Sequence, residues 1–431
     1  MHDTIFALAS ARGRAGIAVI RISGAQAFNV VERLTGGGIP PRQAILRHLR
    51  ENDTVLDQAV VLGFRGPKSF TGEDVVELQL HGSRAVVAAV LTYLGREDGL
   101  RMAEAGEFTR RALENGRMDL AQVEGLADLI DAETEAQRRQ ALRLMEGDLS
   151  RKTAAWRSQL TRALALLEAS IDFADEDVPE DVFPEVGTLV SDLIVDFKRE
   201  IDGVAAAERI RDGFEVAIVG LPNSGKSTLL NRIAGRDVAI TSEIAGTTRD
   251  VIEVQLDLRG LAVTLLDTAG LRDSEDIVES IGVDRARQRA GAADLRVFLI
   301  SSAQELTLLG VDRLDGDEVV FAKGDRGITS QPSVSGRTGE GLDALLDKIS
   351  QTLEQRTASV GTAVHQRHQA ALSRAVLALE QGAAQLAFGA IRAELTAEEL
   401  RVAVRALDSL IGKVDVEQLL DVIFSSFCIG K

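Results

Sequence analysis

Two hydrophobic periods take turns along the chain of 431 residues. From residue 1 to about 115, short apolar runs are broken by turn residues. Ile17-Ala18-Val19-Ile20-Arg21-Ile22, Ala59-Val60-Val61-Leu62-Gly63-Phe64 and Val75-Val76-Glu77-Leu78-Gln79-Leu80 read as strands, and Ala85 to Leu94 as a helix. A small α+β domain over 1–115 is the expectation. Beyond it the period lengthens. Leu120, Val123, Leu126, Ala127 and Ile130 recur at three- and four-residue spacing, as do Leu160, Ala163, Leu164, Leu167 and Ile171, which predicts helices. An acidic, Pro-containing break at residues 172–180 reads as a solvated loop, and a helix is expected from Val186 to Arg211.

Strand-length runs return from 212 to 353, with Glu215–Val219, Val251–Leu256, Leu261–Leu266 and Val319–Phe321 as strands. The last stretch, 354–431, is helical again. Thr396-Ala397-Glu398-Glu399 has the capping-box pattern ahead of Leu400, Val402, Val404 and Leu407, so a helix is expected to start at Thr396. Since helical segments flank 212–353, the simplest architecture inserts that α/β domain into one helical bundle made of 116–211 and 354–431.

The strand Glu215–Val219 runs into Gly220-Leu221-Pro222-Asn223-Ser224-Gly225-Lys226-Ser227, and Thr228 to Ile233 opens a helix. This is the G-x-x-x-x-G-K-[ST] phosphate loop in the strand–turn–helix setting it requires. Its glycines let backbone N–H groups curl inward toward phosphate oxygens, and the helix N-terminus adds partial positive charge. Lys226 can reach the β- and γ-phosphates and the Ser227 hydroxyl can ligate Mg²⁺. Gly246-Thr247-Thr248-Arg249-Asp250 offers a threonine to complete the Mg²⁺ shell. Asp267-Thr268-Ala269-Gly270 offers an aspartate that would hold Mg²⁺ through water and a glycine amide for the γ-phosphate. The order and spacing are those of the two switches of a GTPase.

Guanine selection normally uses Asn-Lys-x-Asp. Here the segment is Ala322-Lys323-Gly324-Asp325, which keeps Lys323 and Asp325 but lacks the Asn; GTP is still favoured over ATP. Ser335-Gly336-Arg337 is the expected last guanine-contacting loop. Where Ras-like enzymes place a water-orienting Gln, this chain has Leu271, which cannot do that work. Asn223 within the phosphate loop is a feature of GTPases that use K⁺ in place of an arginine finger, with further oxygens expected from the loop ahead of Gly246. Glu279 is the candidate for placing the attacking water, although by itself such a residue is more often an exposed helix position, and the role rests mostly on the resemblance given below.

Composition narrows the partners. The formal net charge is −17, a poor footprint for autonomous nucleic-acid binding, so a partner is expected to supply part of any grip on RNA. The single cysteine excludes an internal disulfide framework and a Cys-rich zinc site. With no apolar run of membrane-spanning length and no signal-peptide layout, a cytoplasmic location is expected.

Several further segments surround these motifs: Arg21-Ile22-Ser23-Gly24, Thr71-Gly72-Glu73-Asp74-Val75-Val76-Glu77-Leu78, His81-Gly82, Gly106-Glu107-Phe108-Thr109, Met118-Asp119-Leu120-Ala121-Gln122, Asp128-Leu129-Ile130-Asp131-Ala132, Ile171-Asp172-Phe173 and the terminal Phe427-Cys428-Ile429-Gly430-Lys431. Together the chain resembles the MnmE/TrmE family of bacterial and organellar tRNA-modification GTPases over nearly its whole length. It departs at Ala322, and at Arg117, where the family commonly has Lys. The resemblance implies an N-terminal tetrahydrofolate-binding, dimer-forming domain, a helical domain and an inserted GTPase domain. It implies a homodimer that joins a flavin-dependent partner of the MnmG/GidA type in a heterotetramer and acts on C5 of the wobble uridine of certain tRNAs. The one-carbon unit would come from 5,10-methylenetetrahydrofolate or 5-formyltetrahydrofolate, giving carboxymethylaminomethyl-type products.

Carried over residue by residue, Arg21, Glu77, Arg117 and Lys431 would line the folate site. K⁺ would be held by Asn223, Ser242, Ile244 and Thr247, and Mg²⁺ by Ser227 and Thr248, while Glu279 would orient water. The GTP-contacting set extends over Asn223, Ser224, Gly225, Lys226, Ser227 and Thr228, over Ser242, Glu243, Ile244, Ala245, Gly246, Thr247 and Thr248, and over Asp267, Thr268, Ala269 and Gly270. It closes with Lys323, Asp325, Ser335, Gly336 and Arg337. Lys226 and Glu279 are the expected catalytic groups. Cys428 is a third candidate, although a lone thiol is most often inert and buried. A non-catalytic regulatory GTPase, such as a ribosome-assembly switch, is the rival class.

Overall fold

The structure is a computed structural model that describes residues 3–172, 182–236, 238–240, 253–268, 287–326, 332–357, 360–414, 420, 423–424, 427 and 430. It divides into two compact units, Met1–Ala127 with Leu407–Lys431, and Asp128–Ala406.

The first unit is built on a six-stranded sheet. Its strands are β1 (Thr4–Leu8), β2 (Ile17–Ser23), β3 (Ile45–Glu51), β4 (Thr54–Phe64), β5 (Val75–His81) and β6 (Leu100–Met102), in spatial order β3-β4-β5-β2-β1-β6. All neighbours are antiparallel except β1 and β6. Period-two alternation buries Ile20, Ile22, Val76, Leu78 and Leu80 against helices α1 (Ala27–Thr35) and α2 (Arg84–Leu94), with Phe6 and Phe28 in the same core. Two of the three strands and the helix expected here form within a residue of their predicted bounds, whereas the strand expected over Ala59–Phe64 begins five residues earlier, at Thr54. The charged edge strand β3, whose sequence Ile-Leu-Arg-His-Leu-Arg-Glu lacks clean alternation, was not legible. Helix α3 (Glu107–Glu114) packs Phe108 with Ile5 and Ala7 on the opposite face of the sheet.

Helices α4 (Leu120–Asp131), α5 (Glu135–Met145), α6 (Asp148–Asp172) and α7 (Phe183–Asp212) follow. In the second unit, α6 and α7 pack through the Trp156 and Phe197 rings, edge to face at 5.0 Å. Helix α7 passes through Gly213 into a second six-stranded sheet: β7 (Phe214–Val219), β8 (Glu253–Leu258), β9 (Leu261–Asp267), β10 (Leu295–Ile300), β11 (Glu318–Ala322) and β12 (Ser333–Val334). The order is β12-β11-β10-β7-β9-β8, parallel apart from the antiparallel edge β8. Helices α8 (Lys226–Ala234) and α9 (Leu342–Arg356) bury Leu229, Leu230, Ile233, Leu342 and Ile349 with one face of the sheet. The chain then returns to α10 (Gln366–Leu386) and α11 (Ala393–Leu410).

Helix α11 corrects one expectation. It does not start at Thr396: that residue is fully buried inside the helix, and its Oγ1 donates backward to the Arg392 carbonyl at 3.2 Å. A hydroxyl bonded four residues back cannot cap the turn ahead of it.

Candidate nucleotide-hydrolysis site

The site lies at the C-terminal ends of parallel strands, where open α/β sheets place their ligands. Strand β7 is central, flanked by β10 and β9, and its residues Val216 to Val219 are buried. It delivers the chain at Gly220, where any side chain is excluded. A Cβ there would sit 2.5 Å from the Leu299 carbonyl oxygen and 2.8 Å from Ser224 Oγ. The turn then uses left-handed backbone at Asn223 (φ 63°) and Gly225 (φ 104°) to bring α8 in with its N-terminus facing the loop.

Lys226 is 5% exposed, and its Nζ donates to the Gly220 carbonyl at 2.8 Å and the Leu221 carbonyl at 3.2 Å. The ammonium is therefore held over the concave side of the loop. Burial lowers its pKa below the ordinary lysine value, an effect that the Asp267 charge opposes. Asp267, at the end of β9 and 4% exposed, accepts from Ser227 Oγ at 2.8 Å through Oδ2. Among the described residues its Oδ1 is buried with no hydrogen-bond partner, as is Ser224 Oγ. A hydroxyl and a buried carboxylate with one open oxygen are hard oxygen donors suited to Mg²⁺. Thr268 serves the scaffold: its Oγ1 donates to the Ile218 carbonyl at 2.7 Å, tying the segment after β9 to β7.

Beside the phosphate loop is a cavity of about 190 Å³, lined by Thr228, Leu299, Ala322, Lys323, Asp325 and Ser335–Arg337 among others. The sheet order explains it, because β10, β11 and β12 succeed one another on that side of β7 and each ends at the cavity. Both segments read from the sequence as base-selecting, Ala322–Asp325 and Ser335–Arg337, thus converge with the phosphate loop in one place. Ala322 lines the wall with a methyl group where an Asn amide would otherwise stand. Lys323 adopts left-handed backbone, φ 61°. Sequence reasoning missed the apolar walls Leu229, Leu299 and Val334, which carry no signal beyond that of any buried strand or helix residue.

Ser242, Glu243, Ile244, Ala245, Gly246, Thr247, Thr248, Ala269, Gly270, Leu271, Glu279, Cys428 and Lys431 lie outside the described residues, as does the acidic break after Asp172.

In the first unit, Arg21 and Glu77 are cross-strand partners on β2 and β5 and share one face of the sheet. Arg21 Nε donates to Glu77 Oε1 at 2.9 Å, and its guanidinium stands over the Phe70 and Phe108 rings at 5.0 and 5.8 Å. Arg117 donates from Nε to the Ser69 carbonyl at 3.2 Å, one residue from Phe70. The turn carrying Ser69 to Glu73 is fixed from below. Ser23 Oγ bonds Thr71 Oγ1 at 2.7 Å and donates to Glu73 Oε2 at 2.8 Å, while buried Arg111 links Glu73 and Glu107. Basic and acidic groups, two aromatic faces and a braced turn therefore meet on this sheet face.

Comparison with known proteins agrees with this geometry. Residues 4–117 match the family described as GTP-binding protein TrmE N-terminus, and residues 120–428 match the MnmE helical domain. The chain is 58% identical to a tRNA modification GTPase MnmE of Cereibacter sphaeroides (strain ATCC 17025 / ATH 2.4.3) and 57% identical to that of Roseobacter denitrificans, with all of both chains covered in each case. Among solved structures, Aquifex aeolicus Era bound to GDP and AlF4⁻ is 26% identical, covering 32% of this chain and 56% of that one at a TM-score of 0.26. Two domain families matched in order, and relatives aligned from end to end, place the chain in the MnmE/TrmE family of tRNA-modification GTPases.

Proposed function

We propose that this chain hydrolyses GTP and that the energy of hydrolysis drives modification of C5 of the wobble uridine in certain tRNAs, together with a flavin-containing partner and a tetrahydrofolate one-carbon donor. The observation that carries the reading is the meeting of the Lys226 loop, the Ser227–Asp267 pair and the base-sized cavity at one end of one sheet. Ser227 and Asp267 would hold Mg²⁺ directly or through water, and Thr248 would complete its shell. Mg²⁺ held there would supply positive charge to offset that building on the phosphate oxygens. Lys226 would exchange its two carbonyl acceptors for phosphate oxygens without leaving the loop. Lys323 and Asp325 would hold the base, and Ser335 and Arg337 would close the cavity over it.

Asn223, with Ser242, Ile244 and Thr247, would bind K⁺, and Glu279 would orient the attacking water. The Arg21–Glu77 pair and Arg117 suit a pterin's donor edge and an anionic glutamate tail, with Lys431 completing that site. The reading carries domain bounds of 1–115, 116–211 with 354–431, and 212–353. It also carries a homodimer, a heterotetramer with the flavin partner, tRNA gripped mainly through that partner, and a cytoplasmic location. Among the described residues no helix is long and apolar enough to cross a membrane.

The test has two arms. GTP turnover by the purified protein with Mg²⁺ is expected to be strong in K⁺ and weak in Na⁺; equal rates would remove the cation site. Nucleosides from tRNA of cells lacking the protein are expected to have lost the wobble modification, and an unchanged profile would refute the tRNA role.

A further inference from the structure

The start of α5 holds three parts of the second unit at once. The amide of Ala136, in the first turn, donates to the Gly260 carbonyl at 3.0 Å. Gly260, with φ 88°, is the tip of the hairpin joining β8 to β9, and its own N–H is fixed by Asp257 Oδ1 at 2.6 Å. Gln137 works in two directions. Its Oε1 accepts from the amides of Glu133 and Thr134, both at 2.9 Å, while its Nε2 donates to the Arg211 carbonyl at 2.9 Å. Gln140, a turn later, donates to the Ala207 carbonyl at 2.9 Å.

Helix starts leave N–H groups unsatisfied and helix ends leave carbonyls unsatisfied. Here the two kinds of orphan are satisfied across elements. The beginning of α5 takes the hairpin tip, Gln137 takes the orphan Arg211 carbonyl at the end of α7, and Gln140 adds a bond to Ala207 one turn earlier. Arg211 is three residues ahead of Phe214, where β7 starts toward the phosphate loop. Gly260 is one residue ahead of β9, which ends at Asp267. Each strand spans roughly 20 Å of stiff, sheet-bound backbone. The two strands that carry the phosphate loop and the cation-binding aspartate are thus referred to one helix start. A polar cavity of about 170 Å³, lined by Asp128, Asp131, Gln137, Gln140 and Arg211 among others, lies beside this joint and leaves room for it to shift.

We infer that the first turn of α5 is the joint through which the state of the nucleotide site is passed to the helical bundle, with Gln137 as its positioning residue. The inference rests on the nucleotide site described above. Gln137→Glu tests it without dismantling α5. A Glu at this position still accepts from the two preceding amides as a capping-box residue, but it cannot donate to the Arg211 carbonyl. Ala136→Pro is the second variant, since proline is tolerated in the first helical turn and removes the N–H that binds Gly260.

Full-length wild type and both variants are compared in K⁺ and Mg²⁺ by hydrogen exchange, with GDP and with a β,γ-imido analogue of GTP. In the wild type the analogue is expected to change exchange of the amides of residues 133–138 by about fivefold or more, the lower range of an ordinary coupling. In the variants this response is expected to vanish while analogue affinity stays within about twofold, and tRNA modified per GTP hydrolysed falls about fivefold. A response at 133–138 that survives in both variants overturns the inference, as does a wild type that binds the analogue with no response there. A wild type that fails to bind the analogue in titration would overturn the nucleotide site itself, and the joint with it.

Discussion

Gly336→Ala puts the base-binding half of the site to a quantitative test. A methyl group at this position would lie 2.7 Å from the Leu229 amide nitrogen, 2.9 Å from Leu229 Cα and 2.9 Å from the Thr228 carbonyl carbon. Those atoms are backbone, and all three separations are roughly half an ångström short of ordinary contact. Helix α8 cannot yield, because Leu229, Leu230 and Ile233 anchor it in the core. The loop carrying Ser335 to Arg337 must retreat instead, and Ser335 is itself pinned by the hydrogen bond its backbone N–H donates to the Glu340 carbonyl at 2.9 Å. Overpacking against fixed backbone costs about 1–3 kcal/mol. Taken wholly from ligand binding, that is a rise in Kd of about 5- to 150-fold. The strain acts on the base end, so GTP and GDP should lose affinity by the same factor. Fluorescence titration of both nucleotides, with a thermal melt of each complex, reads the effect. Unchanged affinities and an unchanged melting midpoint would show that the loop is not seated on α8 and that the cavity is not the base site.

Restoring the missing amide with Ala322→Asn should tighten GTP by about 3- to 10-fold, the return on one net hydrogen bond, without altering the response to Mg²⁺; competition between guanosine and adenosine triphosphates checks it, and no gain would place Ala322 off the base. Glu200, 4% exposed on α7, accepts from the amides of Thr362 and Ala363 and pairs with Lys152, so Glu200→Ala strands buried donors where the chain leaves α9 for α10. A loss of about 2–4 kcal/mol in denaturant unfolding is expected, and a loss under about 0.5 kcal/mol would contradict the account. Burial alone would raise the Glu107 pKa, but bonds from Arg101, the Glu104 amide and Arg111 outweigh it and lower it from 4.5 to about 2. A depressed carboxylate stabilises the fold above pH 4.5, and that contribution fades as pH falls toward 2. The protection factors of the α3 amides, corrected for the intrinsic pH dependence of exchange, should therefore fall across this window, and Glu107→Gln should flatten the dependence; a parallel curve in the variant would refute the assignment.

The nucleotide site was legible because its parts are local. A phosphate loop needs glycine at stated positions, a lysine and a hydroxyl within one turn, and a strand and helix on either side, all of which a short window displays. The same holds for most helices of the second unit, whose apolar stripes recur faithfully from Leu160 to Ile171 and from Val186 onward. The Thr396 box failed for the converse reason. The pattern is short, and whether a threonine caps or bonds backward is decided by what the preceding residues do. Here a 3₁₀ turn at Gly389–Arg392 already carries the chain into the helix.

What the sequence determined by itself was the chemistry and the class: a guanine-nucleotide hydrolysis site set between helical segments, with the outer motifs of one family. Tertiary structure alone decided which distant residues share a place. No local rule brings Ala322, Ser335 and Thr228 to one cavity, pairs Arg21 with Glu77, or buries Asp267 Oδ1 beside the Ser227–Oδ2 bond. Those follow from strand order and register, which are fixed by burying whole sheet faces at once. The grip of Gln137 on Arg211 belongs to the same class. It arises because two helix ends with unsatisfied backbone groups pack against each other, and a sequence window shows each end without showing that they meet.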